Sequence, residues 1–337
     1  MRKNLYFIAP GKVEIKTETI PELKENECLI QNKASLISPG TELALFTGTH
    51  VGFKDPDISW AKYPLSPGYA TIGEVVEING NSELKSGDEI MYYGLHSSHG
   101  IINPDVDIWT YIPDNLSEES IFGRFTQISA TVPYLTQIGK RTGNVLVFGA
   151  GLIGNFCAQL YGIDSERKVI IADISDNRLS LAAECGINYQ LNTSSGDPAE
   201  AIKRITNNEG VDIIVEATGV PDLVSKALEL VNPMGAVYLL GSSRGDISIN
   251  AYKMIHRKGT SLIGAHESVI NRLDNGNSGN PVRSQLDKMI HYLSTGQLKT
   301  KGMITHRITP DQAEEYYNHL LSDPDNYLGV LIEWSRK

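Results

Sequence analysis

Over roughly the first 115 residues, apolar positions alternate with polar ones in short runs, the period of two expected of half-buried strands. Lys12-Val-Glu-Ile-Lys-Thr alternates residue by residue. Glu27-Cys-Leu-Ile-Gln-Asn-Lys-Ala and Thr71-Ile-Gly-Glu-Val-Val-Glu-Ile are strand-like runs enriched in β-branched residues and punctuated by polar ones. Asn79-Gly80 and Ser86-Gly-Asp interrupt these runs as turns, and the second leads into Glu89-Ile-Met-Tyr-Tyr. Many short strands with Gly and Pro turns predict a compact barrel or sandwich. From about residue 116 the period becomes helical. Ser117-Glu-Glu-Ser-Ile offers capping residues, and Ile128 to Ile138 has helical spacing. Strands at 145–148, 168–172, 211–216 and 236–240 then alternate with helices near 152–162, 176–185, 198–207 and 221–231. Gly186 is placed for a helix C-cap, and a further strand follows at 260–264. This alternation implies right-handed βαβ units and a parallel sheet. Beyond residue 265, Asp274 to Pro281 reads as an exposed polar loop. Ser284 to Leu293 and Pro310 to Leu321 read as amphipathic helices, and Tyr327-Leu-Gly-Val-Leu-Ile-Glu as a last strand.

Within the alternating part, Val145-Leu-Val-Phe runs into Gly149-Ala-Gly151-Leu152-Ile153-Gly154. That is a strand, then G-x-G-x-x-G, then the start of a helix, the context in which the motif carries meaning. Gly149 permits the tight turn, Gly151 lets backbone approach a pyrophosphate, and Gly154 lets helix and strand pack closely. The free N–H groups of the first helical turn, which Leu152 and Ile153 open, face the phosphates. Asp173 ends the next strand 19 residues after Gly154. A carboxylate there would accept hydrogen bonds from an adenosine ribose and repel a 2′-phosphate, so NAD is expected ahead of NADP. Arg178, close by, can accommodate such a phosphate. Two more strand ends, Glu216-Ala-Thr218-Gly219 and Leu240-Gly241-Ser242-Ser243, put small residues at the carboxyl edge of the sheet, where ribose and nicotinamide would lie.

Composition narrows the partners. The 337 residues suit two domains, and 41% hydrophobic with 21% charged residues is ordinary for a soluble enzyme. A formal net charge of -10 without a basic stripe argues against nucleic acid or an anionic membrane as partner, leaving a small-molecule substrate. Met1-Arg-Lys-Asn-Leu-Tyr lacks the apolar core of a signal peptide, and no apolar window reaches the length of a transmembrane helix, so a cytoplasmic location is expected. Cys28, Cys157 and Cys185 are far apart and form no C-x-x-C. They argue against a disulfide framework or a cysteine-rich zinc site and read as buried small hydrophobes.

Four segments carry a family resemblance: Pro67-Gly68-Tyr69-Ala70-Thr-Ile-Gly73-Glu-Val-Val; Ser86-Gly87-Asp88-Glu-Ile; Val145 to Gly154; and Val211-Asp212-Ile-Ile-Val-Glu-Ala-Thr-Gly219. Together, and over nearly the whole chain, they resemble the medium-chain alcohol dehydrogenase superfamily. The resemblance implies an α/β fold: a Rossmann doubly wound parallel sheet at 127–264 and a β-rich, GroES-like catalytic domain from 1–126 and 265–337. It also implies a homodimer paired through the edge strand near 260–264. Zinc-dependent members of that superfamily hold a catalytic metal through a cysteine in Cys-Gly-Thr-Asp, a histidine in Gly-His-Glu and a third cysteine or carboxylate. This chain has Pro39-Gly40-Thr41-Glu42, Gly68-Tyr69-Ala70 and, at the third place, Gly123-Arg-Phe-Thr-Gln-Ile. A catalytic zinc needs three protein ligands, so no metal is expected. The pattern resembles a zinc-less branch that includes bacteriochlorophyllide dehydrogenase-like sequences.

Without zinc, another group must handle the proton when hydride moves. By the resemblance, Tyr69 takes the lost histidine's position, Thr41 matches a proton-relay hydroxyl and Glu42 a supporting acid. His96 and His99 add groups that titrate near neutral pH. Phe46, His50, Phe53 and Trp60 would line a substrate pocket or join the core. The expected function is a zinc-independent oxidoreductase that moves a hydride between NAD(H) and a secondary alcohol or ketone of the polyol, sugar or cyclitol class. The alternatives are an NAD(P)H-dependent quinone or enone reductase and a catalytically silent nucleotide-binding protein.

Overall fold

The computed structural model describes residues 1–163, 166–194, 196–274 and 280–334. The chain divides into two compact units. One comprises Met1–Arg124, Val282–Gly296 and the chain from Gly302 onward; the other comprises Phe125–Pro281 and Gln297–Lys301.

The first unit starts with β1 (Arg2–Ala9) and β2 (Lys12–Glu18), an antiparallel hairpin. Then come β3 (Glu27–Leu36), α1 (Thr41–Thr47), β4 (Thr71–Asn79), β5 (Glu89–Tyr92), β6 (His99–Ile102) and β7 (Trp109–Tyr111). The alternation read in the sequence is the pleat of these strands. Cys28, Ile30, Val75, Ile90, Tyr92 and Trp109 point to one side and form a core. Ser117 does not cap a helix. Its hydroxyl donates to the Glu119 carboxylate, and a 3₁₀ turn, Glu118–Phe122, forms instead.

The second unit contains α2 (Gly123–Ser129, from Phe125), α3 (Thr131–Ile138), β8 (Val145–Phe148), α4 (Leu152–Ile163), β9 (Val169–Asp173), α5 (Asp176–Glu184) and β10 (Tyr189–Asn192). It continues with α6 (Pro198–Ile205), β11 (Ile213–Glu216), α7 (Pro221–Leu230), β12 (Ala236–Leu239), β13 (Ser261–Gly264) and α8 (Ser268–Asp274). Its six strands are all parallel, in the order β10-β9-β8-β11-β12-β13, the doubly wound order of a Rossmann sheet. β8, β9 and β11 are buried throughout, because helices cover both faces of such a sheet. Helix ends follow their sequence signals: the Ser175 and Asp197 side chains cap α5 and α6, and Gly186 leaves α5 at φ +91°. Ile128 to Ile138 is not one helix. Pro133 has no N–H to give the Ser129 carbonyl, and the chain breaks there into α2 and α3. Ala265 and Ile270, beyond β13, are buried within this same unit. Residues 275–279 of the expected Asp274 to Pro281 loop lie outside the described residues.

The chain then returns to the first unit with α9 (Pro281–Ser294), β14 (Ile304–Ile308), α10 (Ala313–Ser322) and β15 (Gly329–Glu333). β15 pairs with β3, giving the sheet order β14-β15-β3-β4-β5-β7, with β6 also on β3. α10 packs on α1 through stacked Phe46 and Tyr317, 5.1 Å between ring centroids, with Phe7 edge-on to Tyr317. Among the described residues no helix is long and apolar enough to cross a membrane.

Candidate active site

In the second unit, the carboxyl ends of β8 and β11 meet where the strand order reverses, the place at which open α/β sheets hold ligands. The loop after β8 is tied to both neighbouring strands: Gly149 N donates to Ala172 O (2.8 Å) and Ala217 N to Phe148 O (2.9 Å). Gly149 adopts φ +98°, which L side chains rarely do. A Cβ on Gly154 would overlap the Gly149 carbonyl oxygen, whereas a Cβ on Gly151 would meet nothing within 4 Å. The chain itself therefore needs glycine at 149 and 154, and Gly151 leaves open the surface at the start of α4. Leu152, in the first turn, turns its side chain into the core, so what that turn offers outward is backbone N–H. Gly151 and the following turn fit a dinucleotide pyrophosphate.

The other two strand ends meet backbone to backbone. A Cβ on Gly241 would lie 2.6 Å from Gly219 N, and one on Gly219 would overlap Ser242 O. Glu216, fully buried, holds the first of them. Its carboxylate accepts Thr218 N (2.7 Å), Gly219 N (3.0 Å) and the Thr218 hydroxyl. The sequence marked Thr218, Gly219, Gly241 and Ser242 but gave Glu216 no role; a carboxylate directly before a small-residue turn is the available signal.

Asp173 is 9% exposed. One carboxylate oxygen accepts Ala150 N at 2.7 Å; the other accepts Ile174 N at 2.8 Å and Ser175 N at 3.0 Å. The residue expected to meet a ribose thus also ties the glycine loop to the end of β9. Arg178 stands in the first turn of α5, its N–H donating to Ser175 Oγ.

The first unit assembles a buried polar group around α1. Glu42, 1% exposed, accepts Ser38 N at 3.1 Å on one oxygen, and His96 Nε2 at 2.9 Å and the Tyr317 hydroxyl at 2.5 Å on the other. His96 Nδ1 is 2.7 Å from Ser35 Oγ, which accepts the Trp334 indole N–H at 2.8 Å. An ionised carboxylate can only accept, so His96 donates to Glu42 from Nε2–H; in the neutral imidazole Nδ1 then accepts, and the Ser35 hydroxyl donates to it. Every proton of that chain has an acceptor. In front of this group stands Tyr69, half-buried. Its hydroxyl donates to Ser38 Oγ, and Thr41 is within hydrogen-bonding reach. Burial pushes the Tyr69 phenol above its ordinary range, the negative charge of Glu42 adds to this, and Ser38, Arg124 and Thr41 act against it. Tyr69, Thr41 and Glu42 thus lie close together.

His99 lies elsewhere in this unit. It faces Gln31 across the β3–β6 pairing, its Nδ1 is 3.0 Å from Ser98 Oγ, and it lines a hollow of about 410 Å³ with Arg2, Tyr6 and Tyr92. Burial, reinforced by nearby positive charge including Arg2, holds its imidazole below the usual range. The Tyr69 group gains residues the sequence did not suggest: Ser38, Tyr317 and Arg124. A lone arginine in the apolar run Ile121-Phe-Gly-Arg-Phe was the signal for the last. Of the loop aromatics, Phe46 is core, Phe53 stacks on Tyr63, and exposed Trp60 packs against His50.

The donor set does not fit zinc at the places the resemblance assigns. The side chains of Pro39 and Ala70 have no ligating atom, and the third segment, Gly123-Arg-Phe-Thr-Gln-Ile, contains no cysteine, histidine or carboxylate. No group of three or more His, Cys, Asp or Glu among the described residues could hold a metal ion. The three cysteines are buried, Cys28 in the first unit and Cys157 and Cys185 in the second.

Residues 149–275 match the family model described as zinc-binding dehydrogenase, a span that omits all three of those segments. The chain is 28% identical over 225 residues to L-threonine 3-dehydrogenase of Cronobacter sakazakii, a match covering 66% of this chain and 60% of that relative's length. It is 29% identical over 347 residues to L-threonine 3-dehydrogenase of Serratia proteamaculans, 93% of this chain and 94% of the relative. The fold is similar to that of galactitol-1-phosphate dehydrogenase from Escherichia coli, with TM-score 0.82 and 19% identity over 98% of this chain and 99% of the other. The matched span and the fold are similar to those of the medium-chain, alcohol dehydrogenase-like superfamily. The class to which these likenesses point is that of the NAD(P)-dependent dehydrogenases/reductases.

Proposed function

We propose that this NAD(P)-dependent medium-chain dehydrogenase/reductase interconverts a secondary alcohol of the polyol, sugar or cyclitol class with its ketone, using NAD(H) and no zinc, with Tyr69 as the proton-transferring group. The carrying observation is the Tyr69 hydroxyl: half-buried, held by Ser38, beside Thr41, and seated where the resemblance puts a metal-ligating histidine. Bound nicotinamide supplies the hydride chemistry. In the reducing direction Tyr69 donates a hydrogen bond to the carbonyl oxygen and gives up its proton as the carbon accepts hydride. A phenol held above its ordinary range is protonated at neutral pH and ready to donate. Glu42 and its three donors keep Ser38, and through it Tyr69, in place. The relatives named for L-threonine and galactitol 1-phosphate oxidation favour a hydroxylated substrate. β13, the last strand of its sheet, is the edge through which we expect two copies to pair.

The test is nicotinamide reduction and oxidation, followed by absorbance across a panel of polyols, sugars, cyclitols and their ketones with chelator present. Turnover that chelator abolishes and zinc restores would overturn the metal-free reading. NAD binding without turnover on any alcohol, ketone, enone or quinone would favour a silent nucleotide-binding protein. Turnover confined to quinones or enones would select the reductase alternative. Tyr69→Phe should lower kcat by about 100-fold or more, the usual contribution of a positioned acid or base, and full retention would remove Tyr69 from the mechanism.

A further inference from the structure

We propose that Arg124 supplies the fixed positive charge that allows the Tyr69 phenol to release its proton, an inference that rests on the reading of Tyr69 as the proton-transferring group. Arg124 is 5% exposed. Its guanidinium carbon lies 3.9 Å from the Tyr93 ring centroid and 5.2 Å from that of Tyr69, and Nη1 donates to the Tyr93 hydroxyl at 2.7 Å. The Tyr93 stack and hydrogen bond help to fix where the charge sits, and the Tyr69 ring lies within cation–π range of it.

Three physical points give this arrangement a function. A guanidinium keeps its proton at any working pH, so the charge is permanent. A cation near an aromatic ring is attracted to the neutral ring, and it is attracted more strongly once that ring carries a phenolate charge. Tyr69 also sits near the buried Glu42 carboxylate, which on its own would make the phenol a poor acid. Arg124 opposes Glu42 directly, with the Ser38 and Thr41 hydrogen bonds acting in the same sense. The pair Glu42 and Arg124 therefore brackets Tyr69: the carboxylate anchors Ser38 behind it, and the guanidinium stabilises the oxygen once its proton has gone. Arg124 acts through Tyr69 and is a positioning and charge-tuning residue.

The experiment follows Tyr69 ionisation by NMR of the full-length protein labelled with ¹³C at tyrosine Cζ, the resonance being assigned by its loss in Tyr69→Phe. Arg124→Met removes the charge, Arg124→Lys keeps a charge without the planar fork, and Tyr93→Phe removes the phenol that holds the fork. The Tyr69 midpoint should rise by about one pH unit or more in Arg124→Met, the size expected when an opposite charge within about 6 Å is lost. It should rise by less in the other two. A midpoint in Arg124→Met equal to that of the unaltered protein overturns the proposal. If Arg124→Met does not fold, an unmoved midpoint in both Arg124→Lys and Tyr93→Phe overturns it. The readout needs no substrate. A shifted midpoint together with full turnover in Tyr69→Phe would uphold the Arg124 pairing and remove Tyr69 as proton donor, so the two readings fail separately.

Discussion

Gly154 passes so close to Gly149 that a methyl group on its α-carbon would overlap the Gly149 carbonyl oxygen, while a methyl group on Gly151 would meet open space. Gly154 thus answers to helix–strand packing, whereas nothing in the packing of the chain requires glycine at 151. Gly154→Ala should destabilise the protein by about 3 kcal/mol or more through overpacking against backbone. Gly151→Ala should leave stability within about 0.5 kcal/mol yet weaken NAD binding about tenfold or more, because the methyl group enters the space of the pyrophosphate. Thermal melts and NAD titrations of the two variants check this. Unchanged NAD affinity in Gly151→Ala would count against the dinucleotide site.

Asp173 leads to a second contrast. The sequence offers it as the ribose acceptor that favours NAD over NADP, but its carboxylate already accepts three backbone N–H groups. An asparagine would present its NH₂ to at least one of those donors. Asp173→Asn should therefore cost about 1–3 kcal/mol and weaken NAD and NADP together by loosening the glycine loop. Stability by denaturant unfolding, measured beside both affinities, decides it. A variant of normal stability that gains NADP affinity would mean that Asp173 acts on the ligand alone.

Glu42, His96 and Tyr317 make a third test. Glu42→Gln leaves an amide facing Ser38 N, the His96 imidazole and the Tyr317 hydroxyl, and should cost about 1–3 kcal/mol, as leaving a buried donor without an acceptor does. Tyr317→Phe removes one of the three donors and should cost about 1 kcal/mol. The double variant should cost less than the sum, because both changes delete the same hydrogen bond. Strict additivity in denaturant unfolding would show that the bond contributes nothing.

The fold was legible where pattern and packing coincide. β8, β9 and β11 are short apolar runs buried on both faces, and the glycine turn after β8 follows from its spacing. β10 escaped notice because Tyr189–Asn192 is four residues long and only half-buried at the sheet's edge, and β14 because it alternates weakly. At the site, the resemblance placed Tyr69, Thr41 and Glu42. Nothing in local sequence pairs Glu42 with Tyr317, 275 residues away, or Ser35 with Trp334, 299 residues away. Such partners are chosen by sheet pairing, β15 against β3, which periodicity does not specify. His99 drew attention because histidine titrates near neutral pH, a property of residue type that carries no position.

Alkaline pH gives the last test. Burial pushes the Cys185 thiol from 9.0 up to about 11, with the positive charge of Lys299 the largest opposing influence, and the Cys157 and Tyr92 protons are held more tightly still. All three groups keep their protons in the folded state at a pH where the unfolded chain has begun to lose them. Above pH 9 the unfolded state binds fewer protons than the folded one, so stability falls as pH rises. For Cys185 the contribution is complete below pH 9 and is lost progressively between 9 and about 11. Unfolding free energy measured from pH 8 to 11 should therefore decline, and Cys185→Ala, which removes one of these groups, should decline less steeply. The same burial predicts that native Cys157 and Cys185 react with a thiol reagent at pH 8 far more slowly than the unfolded chain does. Rapid native labelling of either cysteine, or identical pH slopes for Cys185→Ala and the unaltered protein, would contradict this.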